Sequence, residues 1–384
     1  MLIKILLVVL FFGVMLGIGL YCRRHSNDVN GFVLGNRAVG AWLTAFAYGT
    51  SYFSAVVFVG YAGQFGWRYG IAATWVGLGN AFIGSLMAWA VLGRRTRIMS
   101  QYLSSATMPD FFGKRFSSNA LKIAASIICF IFLIPYTASL YNGLSRLFGM
   151  AFSIDYSICV IFMAVLTGIY VIAGGYMATA INDFIQGIIM LIGIVAVIVA
   201  VLESKGGLYE ALAGISQISD PNAKTTLAKS SGIFASFFGP DPVNLLGVII
   251  LTSLGTWGLP QMVQKFYAIK NESDITKGTV ISTLFALVVA GGCYFLGGFG
   301  RLFTAQLDPN GLGVPVEGYD SVIPVMLSGL PDILLAVVVI LVLSASMSTL
   351  SSLVLASSST LTLDLLKGHV IKDMDEKKQL KIMR

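Results

Sequence analysis

An apolar run of more than about twenty residues suits a helix crossing a lipid bilayer, and this chain carries several such runs. The first, about Leu2 to Cys22, has one charge, Lys4, and no small-x-small cleavage site. More runs follow it, so it reads as a retained helix and not as a removable leader. Only 11% of the 384 residues are charged and 56% are apolar, whereas a soluble domain is about a quarter charged. The apolar periodicity predicts nine spans near 3–22, 41–66, 70–93, 119–147, 153–173, 180–202, 244–264, 274–300 and 332–366. Residues 203–243 read as a loop with one short surface helix, and 367–384 as a charged tail.

Basic residues orient the chain. With the N-terminus outside, the cytoplasmic side takes 18 of the 25 Lys and Arg, among them Arg23, Arg24, Arg37, Arg94, Arg95, Arg97, Lys265, Lys270 and Lys277. The outer side keeps Lys4, Arg68, Arg146, Lys205, Lys224, Lys229 and Arg301. The positive-inside rule favours this arrangement, with the tail inside and an odd number of spans in the plasma membrane. The net charge of +7 thus marks orientation, not nucleic-acid binding. Cys22, Cys129, Cys159 and Cys293 lie in or beside apolar runs and read as small packing residues. His25 and His369 sit in loops far apart, which argues against histidine catalysis and zinc. The spans show no nucleophile with a base and no metal cluster, so an enzyme is not expected, nor a cofactor.

Three spans carry polar backbone chemistry. The second contains Tyr48-Gly49-Thr50-Ser51-Tyr52-Phe53-Ser54. The span near 244–264 contains Thr252, Ser253, Gly255, Thr256, Gly258 and Pro260. Proline removes a helix hydrogen bond and glycine eases a bend. Carbonyls freed in this way are tolerated at membrane depth only where they line a cavity or bind something. Broken helices in matching positions of two halves point to a transporter site, and small-residue helix packing is the plainer alternative. In the third span Ser344, Ser348, Ser351 and Ser352 share one helix face, where hydroxyls and loose carbonyls suit a hard monovalent cation. Hydroxyls bonding back one turn are the alternative there, a role that fits one or two serines better than this density. Asp183, in the first turn of the 180–202 span, is either a helix-dipole acid or an ion ligand.

Four stretches in order resemble the sodium:solute symporter family. They are Gly31-Phe32-Val33-Leu34-Gly35-Asn36-Arg37, then Gly174-Gly175-Tyr176 with Asn182-Asp183-Phe184, then Gly258-Leu259-Pro260-Gln261, and Ala345-Ser346-Met347-Ser348-Thr349. The resemblance covers essentially the whole chain. It implies an all-α integral membrane fold, a five-plus-five inverted-repeat bundle of the LeuT type with an extra N-terminal helix. On that scheme 3–22 is the extra helix, 41–202 the first repeat, 203–243 an outer loop, 244–366 a partial second repeat and 367–384 a cytoplasmic tail. The last two core helices are then expected to be missing from this chain.

The resemblance also implies a sodium site at Thr50, Phe53, Ala345, Ser348 and Thr349. Asp183, Ser348, Ser351 and Ser352 are the matching candidates for a second sodium. Solute binding is expected beside the break, at Ser51, Tyr52, Ser54, Thr256 and Trp257. Proline carriers of the family have an aspartate at the position of Tyr52 and aromatic residues at Thr252 and Thr256, so pantothenate or a monocarboxylate is the preferred solute over an amino acid such as proline. The expected activity is sodium-coupled import of a small organic solute, with sodium as coupling ion and the lipid bilayer as surroundings. The alternative is a membrane sensor built on the same bundle. Oligomeric state is left open.

Overall fold

The computed structural model describes residues 2–384 apart from 24–25, 153–154, 221–225, 227–228, 312, 368–369 and 372–373. Arg24, His25, Lys224, His369 and Lys372 therefore lie outside the described residues, as do the side chains of Arg146 and Cys159. Regular structure among the described residues is helical throughout. The first part of the chain forms α1 (Leu2–Cys22), α2 (Val29–Leu34), α3 (Ala41–Tyr52), α4 (Ala62–Tyr69), α5 (Thr74–Gly79), α6 (Arg94–Tyr102) and α7 (Met108–Arg115). The two longest helices follow, α8 (Asn119–Phe152) and α9 (Tyr156–Glu203), and then α10 (Leu208–Ser216). The remainder forms α11 (Pro242–Gly255), α12 (Pro260–Ala268), α13 (Ser273–Gly297), α14 (Thr304–Leu307), α15 (Val322–Ser328), α16 (Asp332–Ser359) and α17 (Glu376–Met383). Wider π-helical turns extend α16 through Thr360–Leu366 and bridge α3 to α4 at Val56–Tyr61.

By length and apolarity, six helical segments among the described residues can cross a membrane, or seven when Pro242–Gly258 and Pro260–Ala268 count as one bent span. The difference from nine has a physical cause. Residues 56–102 run together as one helical segment, interrupted at Gly70 (φ 62°, ψ −141°). Likewise 153–173 and 180–202 merge into α9, which is broken only at Gly175 (φ 54°, ψ −148°). That backbone region is essentially reserved for glycine, and a methyl group on Gly175 would also press on the Phe32 backbone.

The centre of the bundle is α16, packed on α9, α8 and α3, while α13 packs on α3 and α5. Within its best apolar window 72% of the α16 span is buried, against 17% for Asn119–Leu144 on α8, which turns Ile128, Ile131 and Phe132 outward. Gly66 on α4 and Gly297 on α13 meet backbone to backbone, so a methyl group on either would strike the carbonyl of its counterpart's helix. Small residues permit that approach between membrane helices.

Two regions add to the sequence reading. The charged tail carries a packed helix: α17 buries Leu380 and Met383 in the cluster around Phe32 and Val33 of α2, and Glu376 accepts from the Val29 amide at 3.1 Å. The stretch between α13 and α16, unassigned from sequence, holds α14 and α15. There Arg301 is buried, donating to the Trp67 carbonyl at 2.7 Å and to Asp220 at 3.1 Å. Burial lowers the Arg301 pKa and the Asp220 carboxylate opposes that shift.

Candidate functional site

Helix α3 ends at Phe53, whose extended backbone (φ −81°, ψ 113°) stops the helical ladder. The last carbonyls of a helix have no partner within it, and here the neighbouring α16 supplies one. Ser348 Oγ donates to the Thr50 carbonyl at 3.1 Å and Thr349 Oγ1 at 3.3 Å. The same two hydroxyls reach the Ala345 carbonyl at 3.2 and 3.1 Å. Thr50, Ala345, Ser348 and Thr349, four of the five residues assigned to the first cation position, thus meet oxygen to oxygen, and all are fully buried. The fifth, Phe53, is the capping residue of the break itself and is 1% exposed. Oxygens around a hard cation at about 2.4 Å stand roughly 3.4 Å apart along the edges of an octahedron. The observed spacings are close to that.

Around Asp183 the arrangement differs from the expectation. Counted from the break at Gly175, Asp183 lies two turns into the second half of α9, too deep for the first-turn dipole role. Its carboxylate faces the ammonium of Lys265 on α12 at 3.6 Å. Lys265 donates to Ser352 Oγ at 3.0 Å, and Ser352 Oγ lies 2.9 Å from Ser51 Oγ. Lys265 was assigned from sequence to the cytoplasmic flank; it is instead 1% exposed inside the bundle. The signal that could have found it is a lysine among Met262, Val263, Phe266 and Tyr267, since ionisable residues at membrane depth mark functional sites. Ser351 donates back to the Ser348 carbonyl at 2.9 Å. Back-bonding is commoner along this run than its density suggested, because Ser346, Ser357 and Ser359 do the same. Their hydroxyls are held by the helix that carries them.

Beside the break of α3 lies a cavity of about 310 Å³, lined by Tyr52, Ser54, Tyr136, Thr252, Thr256 and Leu259 among others. Its other wall is the second break. A turn of 3₁₀ helix over Thr256–Gly258 and an extended Leu259 separate α11 from α12, with a bend of 52° and Pro260 at the first position of the new helix. Proline is pre-organised for that place. Among the described residues, the buried hydroxyls of Tyr52 and Ser54 have no hydrogen-bond partner, and no charged side chain lines the cavity. Of the expected solute residues, Tyr52, Ser54 and Thr256 line it together and two do not. Ser51 turns to Ser352 and to the Ala47 carbonyl at 2.6 Å. Trp257 spends its indole N–H on the Ile83 carbonyl at 3.0 Å. Tyr136, brought in by α8, was missed because a lone tyrosine in an apolar helix carries no distinguishing pattern.

Two broken helices, a cluster of hydrogen-bonded carbonyl and hydroxyl oxygens at one break and a small hydroxyl-lined cavity between them define a multi-pass helical membrane protein of the transporter class. The chain belongs to the sodium:solute symporter family, whose profile matches residues 32–384. It is 27% identical over 379 residues to the osmoregulated proline transporter OpuE of Bacillus subtilis, covering 98% of this chain and 73% of that one. It is 29% identical over 371 residues to a sodium/proline symporter of Staphylococcus aureus, covering 94% and 68%. Its fold resembles that of a Na+-coupled sialic acid symporter solved in a substrate-bound outward-open state. That likeness has a TM-score of 0.80 at 14% identity and covers 99% of this chain and 77% of that one.

Proposed function

We propose that this chain is a sodium-coupled symporter that imports a small zwitterionic solute, of which proline is the leading candidate, by alternating access across the plasma membrane. The observation that carries the reading is the meeting of the Thr50 carbonyl, freed by the break of α3, with the Ser348 and Thr349 hydroxyls of α16. Sodium is taken up by Thr50, Phe53, Ala345, Ser348 and Thr349, which joins α3 to α16. The solute then binds in the adjoining cavity against Tyr52, Ser54, Tyr136 and Thr256. Its hydroxyls suit a polar solute without net charge, and about 310 Å³ suits a small one. The names of the relatives move the weight from pantothenate and monocarboxylates to proline. Nine passes, with the N-terminus outside and α17 inside, follow when the breaks at Gly70 and Gly175 are each read as a turn between spans.

The test is uptake of radiolabelled L-proline by proteoliposomes containing the full chain, with an inward sodium gradient and with potassium in its place. Concentrative uptake that needs sodium is expected. Proline uptake that ignores the sodium gradient would overturn the coupling, and sodium-dependent binding without any proline uptake would overturn the solute.

A further inference from the structure

Lys265 and Asp183 do more than pack. Both are buried within an apolar bundle, at 1% and 0% side-chain exposure. Replacing such a pair by apolar groups of similar volume is often neutral or stabilising, so stability alone gives little reason for it. The ammonium is enclosed by three groups from two helices: Asp183 Oδ2 on α9 at 3.6 Å, Ser352 Oγ on α16 at 3.0 Å, and the Tyr176 ring, also of α9, at 5.1 Å from its centroid. Ser352 passes the contact on to Ser51 of α3, the residue immediately after Thr50 and its carbonyl. Among the described residues neither carboxylate oxygen of Asp183 accepts a hydrogen bond, Lys265 standing off at 3.6 Å. A buried carboxylate beside serine hydroxyls is an oxygen set that suits a hard cation, and here an amine belonging to the protein lies on it.

We propose that Lys265 is a built-in second cation. Its ammonium holds the place between Asp183 and Ser352 that a second sodium would need, and fixes the number of sodium ions bound at one. One carboxylate balances one positive charge. A sodium ion entering about 4 Å from the ammonium, at an effective dielectric of about 20, would bind on the order of a thousandfold more weakly. The Ser352–Ser51 contact also ties this fixed charge to the end of α3 that carries the first cation position. Lys265 is thus a positioning and stoichiometry-determining residue. The inference rests on the sodium reading above and is tested apart from it.

The experiment counts 22Na+ bound at equilibrium by the purified full chain in detergent. One ion per chain is expected for the unaltered protein, none for S348A/T349A, two for Lys265→Met, and one again for the double variant K265M/D183N. In the unaltered background Asp183→Asn is expected to leave the count at one, because Asp183 serves Lys265 and not sodium. The first sodium retained by K265M doubles as proof that the variant is folded, and Lys265→Gln replaces it if that ion is lost. A count of zero in the unaltered protein overturns the sodium reading and this inference with it. A count of two there, or of one in a Lys265 variant that keeps the first ion, overturns the built-in cation alone. Loss of the first ion in both Lys265 variants makes Lys265 a structural support and also overturns it.

Discussion

Replacing Ser348 by alanine tests the junction of α3 and α16 most directly. Its hydroxyl is one of two that span from Ala345 on α16 to Thr50 on α3, at 3.2 and 3.1 Å. In the proposed site it is also one of five oxygens on the ion. An interaction with a charged group contributes about 1.5–3 kcal/mol, so its loss raises the sodium concentration for half-maximal activation roughly 10- to 150-fold. The assay is sodium titration of L-proline uptake in proteoliposomes, paired with sodium-dependent thermal stabilisation of the purified chain, which needs no solute. Uptake at saturating sodium is expected to recover much of its rate, since Ser348 does not line the solute cavity. Thr349→Ala is expected to behave alike. The double variant should fall short of the sum, because both hydroxyls share the Thr50 carbonyl. Ser357→Ala is the control: its hydroxyl bonds back to Leu353 at 2.7 Å and touches neither break. If S348A shifts the sodium titration less than about twofold, or no more than S357A does, Ser348 is not a ligand and the site lies elsewhere; about twofold is only ~0.4 kcal/mol.

Three further outcomes follow from single features. Tyr52→Phe removes a buried, unpartnered hydroxyl from the cavity wall, and should raise the KM for L-proline by up to about tenfold while leaving sodium half-activation unchanged. Gly175→Ala puts a side chain where φ is 54° and ψ −148°. A loss of about 1–3 kcal/mol, seen as a lower melting temperature in detergent, is expected, with Gly247→Ala, which meets nothing nearby, as the control. Arg301→Gln leaves Asp220 without its buried guanidinium, which should cost roughly 3–5 kcal/mol in the same melting assay.

How much of this was legible in the sequence depends on what each residue needed in order to be noticed. The hydroxyls of Thr50, Ser348 and Thr349 were visible as two concentrations in spans otherwise apolar, and the family resemblance assigned these residues to a cation. The break after Gly255 was legible because Pro260 cannot continue a helix. Lys265 was not, since Lys270 and Lys277 follow it and a lysine near a span end ordinarily reaches out to the interface. Only the packing of α12 against α3 and α16, with Asp183 of α9 facing the ammonium, shows it turned inward. Ser51 and Tyr52 were distinguished by rotation. Successive helical residues point about 100° apart, so a helix kept to Tyr52 sends Ser51 to α16 and Tyr52 to the cavity. The sequence does not fix the last helical residue to that accuracy. Trp257 was misplaced for a related reason, because the tighter 3₁₀ turn at Thr256–Gly258 rotates each side chain further than an α-helix would.

The two ends of α3 are held by different chemistry, and that difference bears on coupling. At its start, the main chain pairs with the end of α12: Val39 N–H donates to Ala268 at 3.3 Å and Lys270 N–H to Val39 at 2.9 Å. Arg37 reinforces this end, its guanidinium reaching the carbonyls of Ser105 at 2.7 Å and Tyr267 at 3.1 Å. At its far end, the contacts to α16 described above are made by hydroxyls. A hydroxyl donates one hydrogen and accepts on its lone pairs, so Ser348 and Thr349 can satisfy the Thr50 carbonyl without an ion and, by rotating, turn their oxygens to one. An unpaired buried carbonyl costs about 1–3 kcal/mol, and this exchange keeps Thr50 paired in either condition. On the proposed reading, sodium therefore acts at the end of α3 whose contacts can change partner cheaply, while the end fixed by main chain and arginine stays with α12. The break at Phe53 follows directly on that second end, next to Tyr52 and Ser54 of the solute cavity.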